Sequence, residues 1–353
     1  MRLNKLRQTL AEQSLDAILI SQPENRRYLS GFTGSAGWLL ISAERAVLAT
    51  DFRYYEQVGR EAPGFELARI TDEFQKLLPA LLADLGVRRL GFESQHVTVE
   101  QLATWSRAGE GVEWVPLQDT VETLRMVKEE GEIESLRRSV AVTDAAFGHL
   151  LGVIRPGMTE QEAAWEIEAY MRTHGASKIA FDLIVAAGPN GALPHARAGD
   201  QIIRPGDPIV VDIGCVVDGY CSDMTRTFCL GRPEARYLEV WNLVLQAQEA
   251  AEAGLRAGLS GVEADALARQ VIQAAGYGEQ FGHGLGHGVG LAIHERPRAS
   301  RLSTDILAAG MSLTVEPGIY LPGEFGVRLE DLVIIRQEGV EVLTRSPKIA
   351  ALS

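Results

Sequence analysis

Asp212, Asp223, His287, Glu316 and Glu330 run in the order D…D…H…E…E through the second half of a 353-residue chain. Four carboxylates and one imidazole form a donor set that holds two hard or borderline divalent cations a few ångström apart. Such a pair bridges one water and makes hydroxide available near neutral pH. Two of the acids close apolar, strand-forming runs, Ile209-Val210-Val211-Asp212 and Leu313-Thr314-Val315-Glu316. Carboxylates in that setting carry a desolvation cost that a cation or a strong ion pair offsets. One such acid alone reads as a solvated hairpin residue; four at matched positions read as a metal centre.

The match is an internal repeat. Gly157-Met158-Thr159-Glu160-Gln161-Glu162 opens a helix that ends at Gly175, and Gly258-Leu259-Ser260-Gly261-Val262-Glu263 opens another that ends at Gly276. Both carry a Thr/Ser-x-x-Glu capping box, and in both the bracketing glycines stand 18 apart. Downstream, Gly206 and Gly310 are each followed six residues later by an acid, Asp212 and Glu316. A second acid comes 11 residues on in the first copy (Asp223) and 14 in the second (Glu330). The pattern predicts two related α+β halves about a pseudo-two-fold axis, each delivering two carboxylates to a shared centre. Strand alternation places Arg328 and Glu330 on one face of a strand, and gives Asp223, Thr225 and Thr227 a common face.

Four of the seven histidines, His195, His283, His287 and His294, fall in two loops expected to face these acids. His287 lies in Phe281–Gly290, where five glycines in ten residues allow close backbone approach and positive φ. His195 and His294, 99 residues apart, are approximate counterparts in the repeat. A lone histidine is more often a satisfied polar group than a ligand. Imidazoles flanking a metal centre, however, donate hydrogen bonds to an oxyanion or a leaving group.

The rest of the chain must position these groups. A hydrophobic share of 46% with 23% charged residues is globular composition. The net charge of −13 argues against nucleic acid or an anionic membrane as the main partner. No apolar run approaches the roughly 20 residues that span a bilayer, and Met1–Lys5 leads into an amphipathic segment rather than the apolar core of a signal peptide. Cys215, Cys221 and Cys229, odd in number and without Cys-x-x-Cys spacing, read as buried free thiols, which fits a cytoplasmic protein. Before residue 116 the chain alternates strand-like runs (Asp16–Ser21, Trp38–Ser42, Ala46–Thr50, Val87–Glu93) with helical ones (Phe52–Glu61, Thr98–Ala108). Gly31–Gly37 has no following helix and no Gly-Lys-Ser/Thr, and reads as a turn rather than a phosphate loop. A boundary near Pro116–Arg125 predicts an α/β domain over 1–124 and an α+β domain over 125–353. The second opens on a long helix from about Lys128 to Ile154, with acids in its first turn.

Five segments carry a family resemblance: Asp212-Ile213-Gly214, Ser222-Asp223-Met224-Thr225-Arg226-Thr227, Gly286–Gly290, Val315-Glu316-Pro317-Gly318 and Val327-Arg328-Leu329-Glu330-Asp331. In this order they resemble the signature segments of the proline-specific metallopeptidases, prolidase (Xaa-Pro dipeptidase) and aminopeptidase P. The likeness extends over about Arg125–Ser346. Asn25–Gly34 and Thr50–Tyr54 resemble that family's smaller N-terminal domain. The resemblance implies a creatinase-like N-terminal domain and a pita-bread catalytic domain that hydrolyses Xaa-Pro bonds in small proline-containing peptides. It implies that Asp212 and Asp223 bind one metal and His287 and Glu316 the other, with Asp223 and Glu330 bridging. Glu316 becomes the general base, His195 and His294 contact the scissile carbonyl and tetrahedral intermediate, and His283 and Arg328 contact the proline subsite and its carboxylate side. It also implies manganese, cobalt or zinc, with manganese favoured by the oxygen-rich set, and a homodimer formed through the smaller domain.

One departure stands out: Ala196-Arg197-Ala198 follows His195, where the family has glycine and a small residue. Arg197 reads equally as a receptor for a substrate carboxylate and as a solvated loop arginine. Dipeptidase and aminopeptidase activity both remain open. A creatinase-type C–N hydrolase, a non-catalytic pita-bread binding protein and a methionine aminopeptidase are the alternatives. The first two are expected to lack ligands that this chain retains, and the third has no need of the N-terminal domain.

Overall fold

The structure is a computed structural model that describes residues 2–353 and divides into two units, Met1–Arg125 and Met126–Ser353. The first is a six-stranded sheet in the order 66–70, 46–51, 38–42, 17–20, 89–93, 113–117. Its centre is antiparallel and its flanks are parallel. Trp38 stacks on Phe74 at 4.4 Å, and Trp105 meets Phe74 edge-on at 5.7 Å, closing one face of the sheet. The helix Phe74–Asp84, which carries Pro79 in its interior, is not among the elements expected from sequence; proline breaks the pattern that would have revealed it. The Gly31–Gly37 turn is pinned from below: buried Arg26 donates to the carbonyls of Gly34 and Gly37, each at 2.7 Å.

The second unit repeats one pattern. A long helix packs on a capped one in each half: Glu130–Val153 on Glu160–Thr173, and Ala235–Gly254 on Gly261–Ala274. Both capping boxes form, Thr159 with Glu162 and Ser260 with Glu263. The segment just before each capped helix makes the same pair of backbone bonds. Gly157 N donates to Ile203 O and Ile203 N to Met158 O; Gly258 N donates to Leu307 O and Leu307 N to Leu259 O. Each half then lays an antiparallel strand pair over its own apolar core, Pro208–Ile213 with Met224–Leu230 and Ser312–Val315 with Asp331–Arg336. This is the duplication that the spacing of glycines and acids predicts, in the pita-bread form that the family resemblance implies.

One local expectation fails. The strand expected to carry both Arg328 and Glu330 breaks at Leu329–Glu330. Phe325–Arg328 pairs with Gly318–Leu321, whereas Asp331–Arg336 belongs to a different sheet. At the break Glu330 N turns to Thr225 O instead of continuing a ladder. Asp223 occupies the matching break before Met224. The repeat therefore delivers its second acid from a kink, not from a strand face. The three cysteines are buried and unpaired, and among the described residues no helix is long and apolar enough to cross a membrane.

Candidate metal centre

All the site residues singled out from sequence line one cavity of ≈ 710 Å³. At its floor Asp212, Asp223 and Glu330 bring carboxylate oxygens within 4.8 Å of one another. His287 Nε2 stands 3.4 Å from Glu316 Oε1 and 3.7 Å from Asp223 Oδ2. Its other nitrogen, Nδ1, lies 3.1 Å from Gly288 O. A carbonyl only accepts, so Nδ1 carries the hydrogen and Nε2 presents a lone pair towards two carboxylates. Burial lowers the His287 pKa and keeps the ring neutral. Asp212 Oδ1 is buried without a hydrogen-bond partner. Lone pairs that face one another with no donor between them are what a cation satisfies, and the donors are those that divalent ions of the manganese type prefer. The residues fit a metal.

The electrostatics say the same. Burial, followed by the charges of Glu330, Asp212 and Glu316, pushes Asp223 well above the usual carboxylate range. Glu330 moves the same way through burial and then the charges of Glu316 and Asp212, and burial raises Glu316. Like charges crowded in a low-dielectric site resist joint ionisation, and a bound divalent cation reverses that logic.

Hydroxyl groups fix the acids. Thr225 Oγ1 donates to Glu330 Oε2 at 2.6 Å. Thr314 Oγ1 accepts from His287 N and donates to Glu316 Oε1, each at 3.0 Å, so one threonine sets the spacing of two candidate ligands. The glycines beside His287 act through close approach alone. A Cβ at Gly286 would lie 1.9 Å from Thr314 O. None of Gly282, Gly284, Gly286, Gly288 and Gly290 takes positive φ, contrary to the sequence expectation.

A second network borders the acids. Arg328, 4% exposed, donates Nη2 to Asp212 Oδ2, Nη1 to Tyr320 OH at 2.8 Å and Nε to Thr225 Oγ1 at 3.1 Å. His283 Nδ1 donates to Gly284 O at 2.8 Å, which leaves Nε2 to accept from Tyr320 OH at 3.0 Å. Burial lowers the His283 pKa, in keeping with that neutral tautomer. The His283 loop is itself held from the helix Gly261–Ala274, where Arg269, paired with Asp265, donates to the carbonyls of Phe281 and His283. His294 meets His287 edge-on at 4.5 Å, and its pKa falls through burial and then the neighbouring His287. His195 is exposed on the opposite loop.

With that geometry in place, the chain can be compared with known proteins. Residues 134–337 match metallopeptidase family M24, and residues 2–127 match the creatinase/prolidase N-terminal domain. The chain belongs to metallopeptidase family M24. It is 42% identical over 348 residues to uncharacterized peptidase YqhT of Bacillus subtilis, with 99% of each chain covered. An Xaa-Pro dipeptidase from Bacillus anthracis superposes with a TM-score of 0.97 at 43% identity, covering 99% of each chain. An X-Pro aminopeptidase from Thermotoga maritima superposes at 0.92 with 39% identity, covering 99% of this chain and 100% of that one.

Sequence reasoning about this M24 peptidase missed Tyr320, the hinge between His283 and Arg328. A signal existed. Gly318 and Tyr320 share a strand face, and Gly318 lies directly opposite Arg328. A Cβ at position 318 would lie 2.8 Å from the Tyr320 hydroxyl, so any larger residue there would displace the tyrosine.

Behind Glu330 the M24 unit holds a charge cluster of buried Asp331 with half-buried Glu252 and Lys348. Lys348 Nζ lies 2.6 Å from Asp331 Oδ2 and 3.4 Å from Glu252 Oε1. Burial and then the Asp331 charge push Glu252 up to about 7. Burial works to raise Asp331 too, but Arg226 and Lys348 overcome it and hold that group down to about 2. Glu252 is therefore raised above its ordinary value of 4.5, and the folded state binds the extra proton between those two values. Its stabilising contribution is complete below the lower value and is lost as pH rises through the higher one. Between about pH 5 and about pH 7.5 the wild type should lose on the order of 2 kcal/mol relative to Glu252→Gln. Denaturant midpoints measured across that range check it; parallel curves for the two proteins would refute it.

Proposed function

We propose that the chain is an exopeptidase that uses two divalent cations to hydrolyse the bond before proline in short peptides. The observation that carries this reading is the convergence of Asp212, Asp223 and Glu330 oxygens on one point facing the His287 lone pair and Glu316. Asp212, Asp223, His287, Glu316 and Glu330 would hold the cations. When bound, these supply Lewis-acid polarisation of the carbonyl and a water that is nucleophilic at neutral pH.

The chain's own groups do the rest. An Xaa-Pro bond is a tertiary amide with no N–H, so its nitrogen must gain a proton to leave. Glu316 Oε1 is held by Thr314, which leaves Oε2 to take the proton released on attack and to pass it to the prolyl nitrogen. His195 and His294 line the cavity from its two loops, which supports a role in donating to the developing oxyanion. Arg328, itself bonded to Tyr320, holds Asp212, while His283 would shape the wall of the proline subsite. Manganese is the favoured ion on ligand softness. The family resemblance supports a homodimer, and three buried reduced thiols support a cytoplasmic location.

Manganese-loaded protein is expected to release proline from Ala-Pro and to leave Ala-Ala at least about 100-fold slower, a difference of roughly 3 kcal/mol in the transition state. Steady-state kinetics on the two dipeptides check this. Equal turnover of both would show a general dipeptidase instead.

A further inference from the structure

We infer that Lys128 is a positioning residue for the proposed reaction: its ion pair with Glu295 seats the loop that carries His294. That pair sets where the imidazole meets the scissile carbonyl, and the inference rests on the Xaa-Pro reading above. Lys128 is the third residue of the second unit and is not among the residues that line the cavity. Its Nζ stands 3.1 Å from Glu295 Oε2, with the two side chains 1% and 6% exposed. Glu295 directly follows His294 and turns its other oxygen back into the loop, where Oε1 accepts from Ala292 N at 2.8 Å. A Cβ at Gly290 would lie 2.7 Å from each of those oxygens, so the loop is built around the carboxylate. One side chain thereby closes the loop on itself, and Ile293 and His294 of that loop line the cavity.

The lysine is itself anchored to the strand that delivers Glu316. Lys128 N donates to Gly310 O at 2.9 Å, and Val127 bridges Met311, immediately before the strand Ser312–Val315 that leads to that acid. The strand makes a second fastening. Buried Ser312 donates its hydroxyl to Val289 O at 2.5 Å and accepts from Val289 N at 3.2 Å, holding the loop where it leaves His287. The candidate base and the candidate oxyanion donor are thus referred to one element. Glu316 follows its end directly, and the His294 loop is tied to its start through Lys128 and Ser312.

Stability alone does not account for the pair. Desolvating an ammonium and a carboxylate offsets most of their attraction, and an apolar pair of similar volume often does as well. What the pair adds is direction: a carboxylate with one oxygen on a lysine and the other on a backbone N–H is fixed in orientation. The need for it is local. Arg298 stands opposite His287 but Glu295 stands opposite Gly288, so the ladder shifts register inside the hairpin. Strand pairing therefore does not fix the connection from 289 to 294 by itself. A misplacement of about 1 Å at a group that meets the reacting atoms costs on the order of 100-fold in rate.

The test uses the full-length protein and the variants Lys128→Met, Lys128→Met/Glu295→Gln, His294→Ala and Lys128→Met/His294→Ala. On Ala-Pro with manganese, His294→Ala should lower kcat about 100-fold and Lys128→Met about tenfold. KM should stay within about twofold of wild type in both, since an oxyanion contact is made in the transition state. In the His294→Ala background Lys128→Met should cost less than about twofold more, because no imidazole is left to misplace. Lys128→Met strips a buried carboxylate of its lysine. The neutral variant Lys128→Met/Glu295→Gln removes that charge and keeps an acceptor for Ala292 N, so it should regain the wild-type melting temperature and keep the tenfold loss in kcat. Losses that multiply with His294→Ala, or a kcat that recovers together with the melting temperature, overturn the positioning role. Hydrogen exchange on the metal-free proteins reads the loop without catalysis. The hydrogen-bonded amides of Gly290 and Ala292 should exchange at least about tenfold faster in the neutral variant, while those of the strand Ile184–Ala187 keep their wild-type rates. Unchanged exchange at Gly290 and Ala292 overturns the inference whatever the kinetics. A wild type that leaves Ala-Pro intact overturns the Xaa-Pro reading instead; faster exchange at those two amides would then still uphold the seating of the loop.

Discussion

Asp223→Asn is expected to cut Ala-Pro hydrolysis by at least about 1,000-fold while raising the melting temperature of the metal-free protein. The two effects share one cause. Asp223 is buried among Glu330, Asp212 and Glu316, and burial and those charges push its pKa up. Its Oδ2 faces the lone pair of His287 Nε2 at 3.7 Å. An amide at this position removes one repelling charge and offers an N–H to that lone pair. Without metal, the change should stabilise the fold by about 1–2 kcal/mol, or some 2–8 °C for a unit of this size. With metal, a proposed shared ligand is gone and the stabilisation conferred by the cations should fall with it. Calorimetry with and without manganese, alongside the rate assay, reads both. A variant less stable than wild type when metal-free would mean that Asp223 is held by bonds within the protein rather than awaiting a cation.

Arg226→Ala carries the largest expected loss of stability. Arg226 is 2% exposed, and every guanidinium nitrogen is used. Nη2 pairs with Asp331 Oδ1 at 2.7 Å and bonds Ser346 O, Nε reaches Ser346 O, and Nη1 donates to Thr225 O and, at 2.6 Å, to Glu330 O. Removing it leaves buried carbonyls unsatisfied and a cavity beside the proposed metal ligands. Lys348 still pairs with Asp331, which tempers the cost. A loss of about 3 kcal/mol is expected, with a fall in melting temperature on the order of 10 °C. Because Nη1 holds the backbone of Glu330 at the break between two sheets, metal affinity should fall about 10- to 100-fold as well. Arg226→Lys should recover part of the stability and little of the affinity, since one ammonium cannot span Thr225, Glu330 and Ser346 together. Thermal melts and manganese titration separate the two losses. Normal metal affinity in a destabilised Arg226→Ala would confine this residue to the core.

Asp212 and Glu316 were legible in the sequence because the duplication writes glycine, strand, acid at equal spacing in both halves, and a second acid follows each, at 11 residues in one half and 14 in the other. The capping boxes at Thr159 and Ser260 were legible for a similar reason, since a cap is a local contact between residues three apart. What the chain hides is whatever depends on contacts across the fold. Nothing local announces that Tyr320 links His283 to Arg328, or that Thr225 donates to Glu330 over a separation of 105 residues. The break at Leu329–Glu330 was hidden in the same way. Alternation continues smoothly through it, but the residues on either side pair in different sheets. Glycine composition also misled about mechanism, since the crowding at Gly286 comes from Thr314, a neighbour distant in sequence.

The central claim is that two cations held by Asp212, Asp223, His287, Glu316 and Glu330 enable cleavage before proline. Titrating manganese into chelator-stripped protein while following proline release from Ala-Pro tests it most directly. Activity should be absent at the start, rise with added metal, and level off once two equivalents per chain are bound. Full Ala-Pro hydrolysis by the stripped protein, or a plateau reached with no manganese bound at this centre, would contradict the claim.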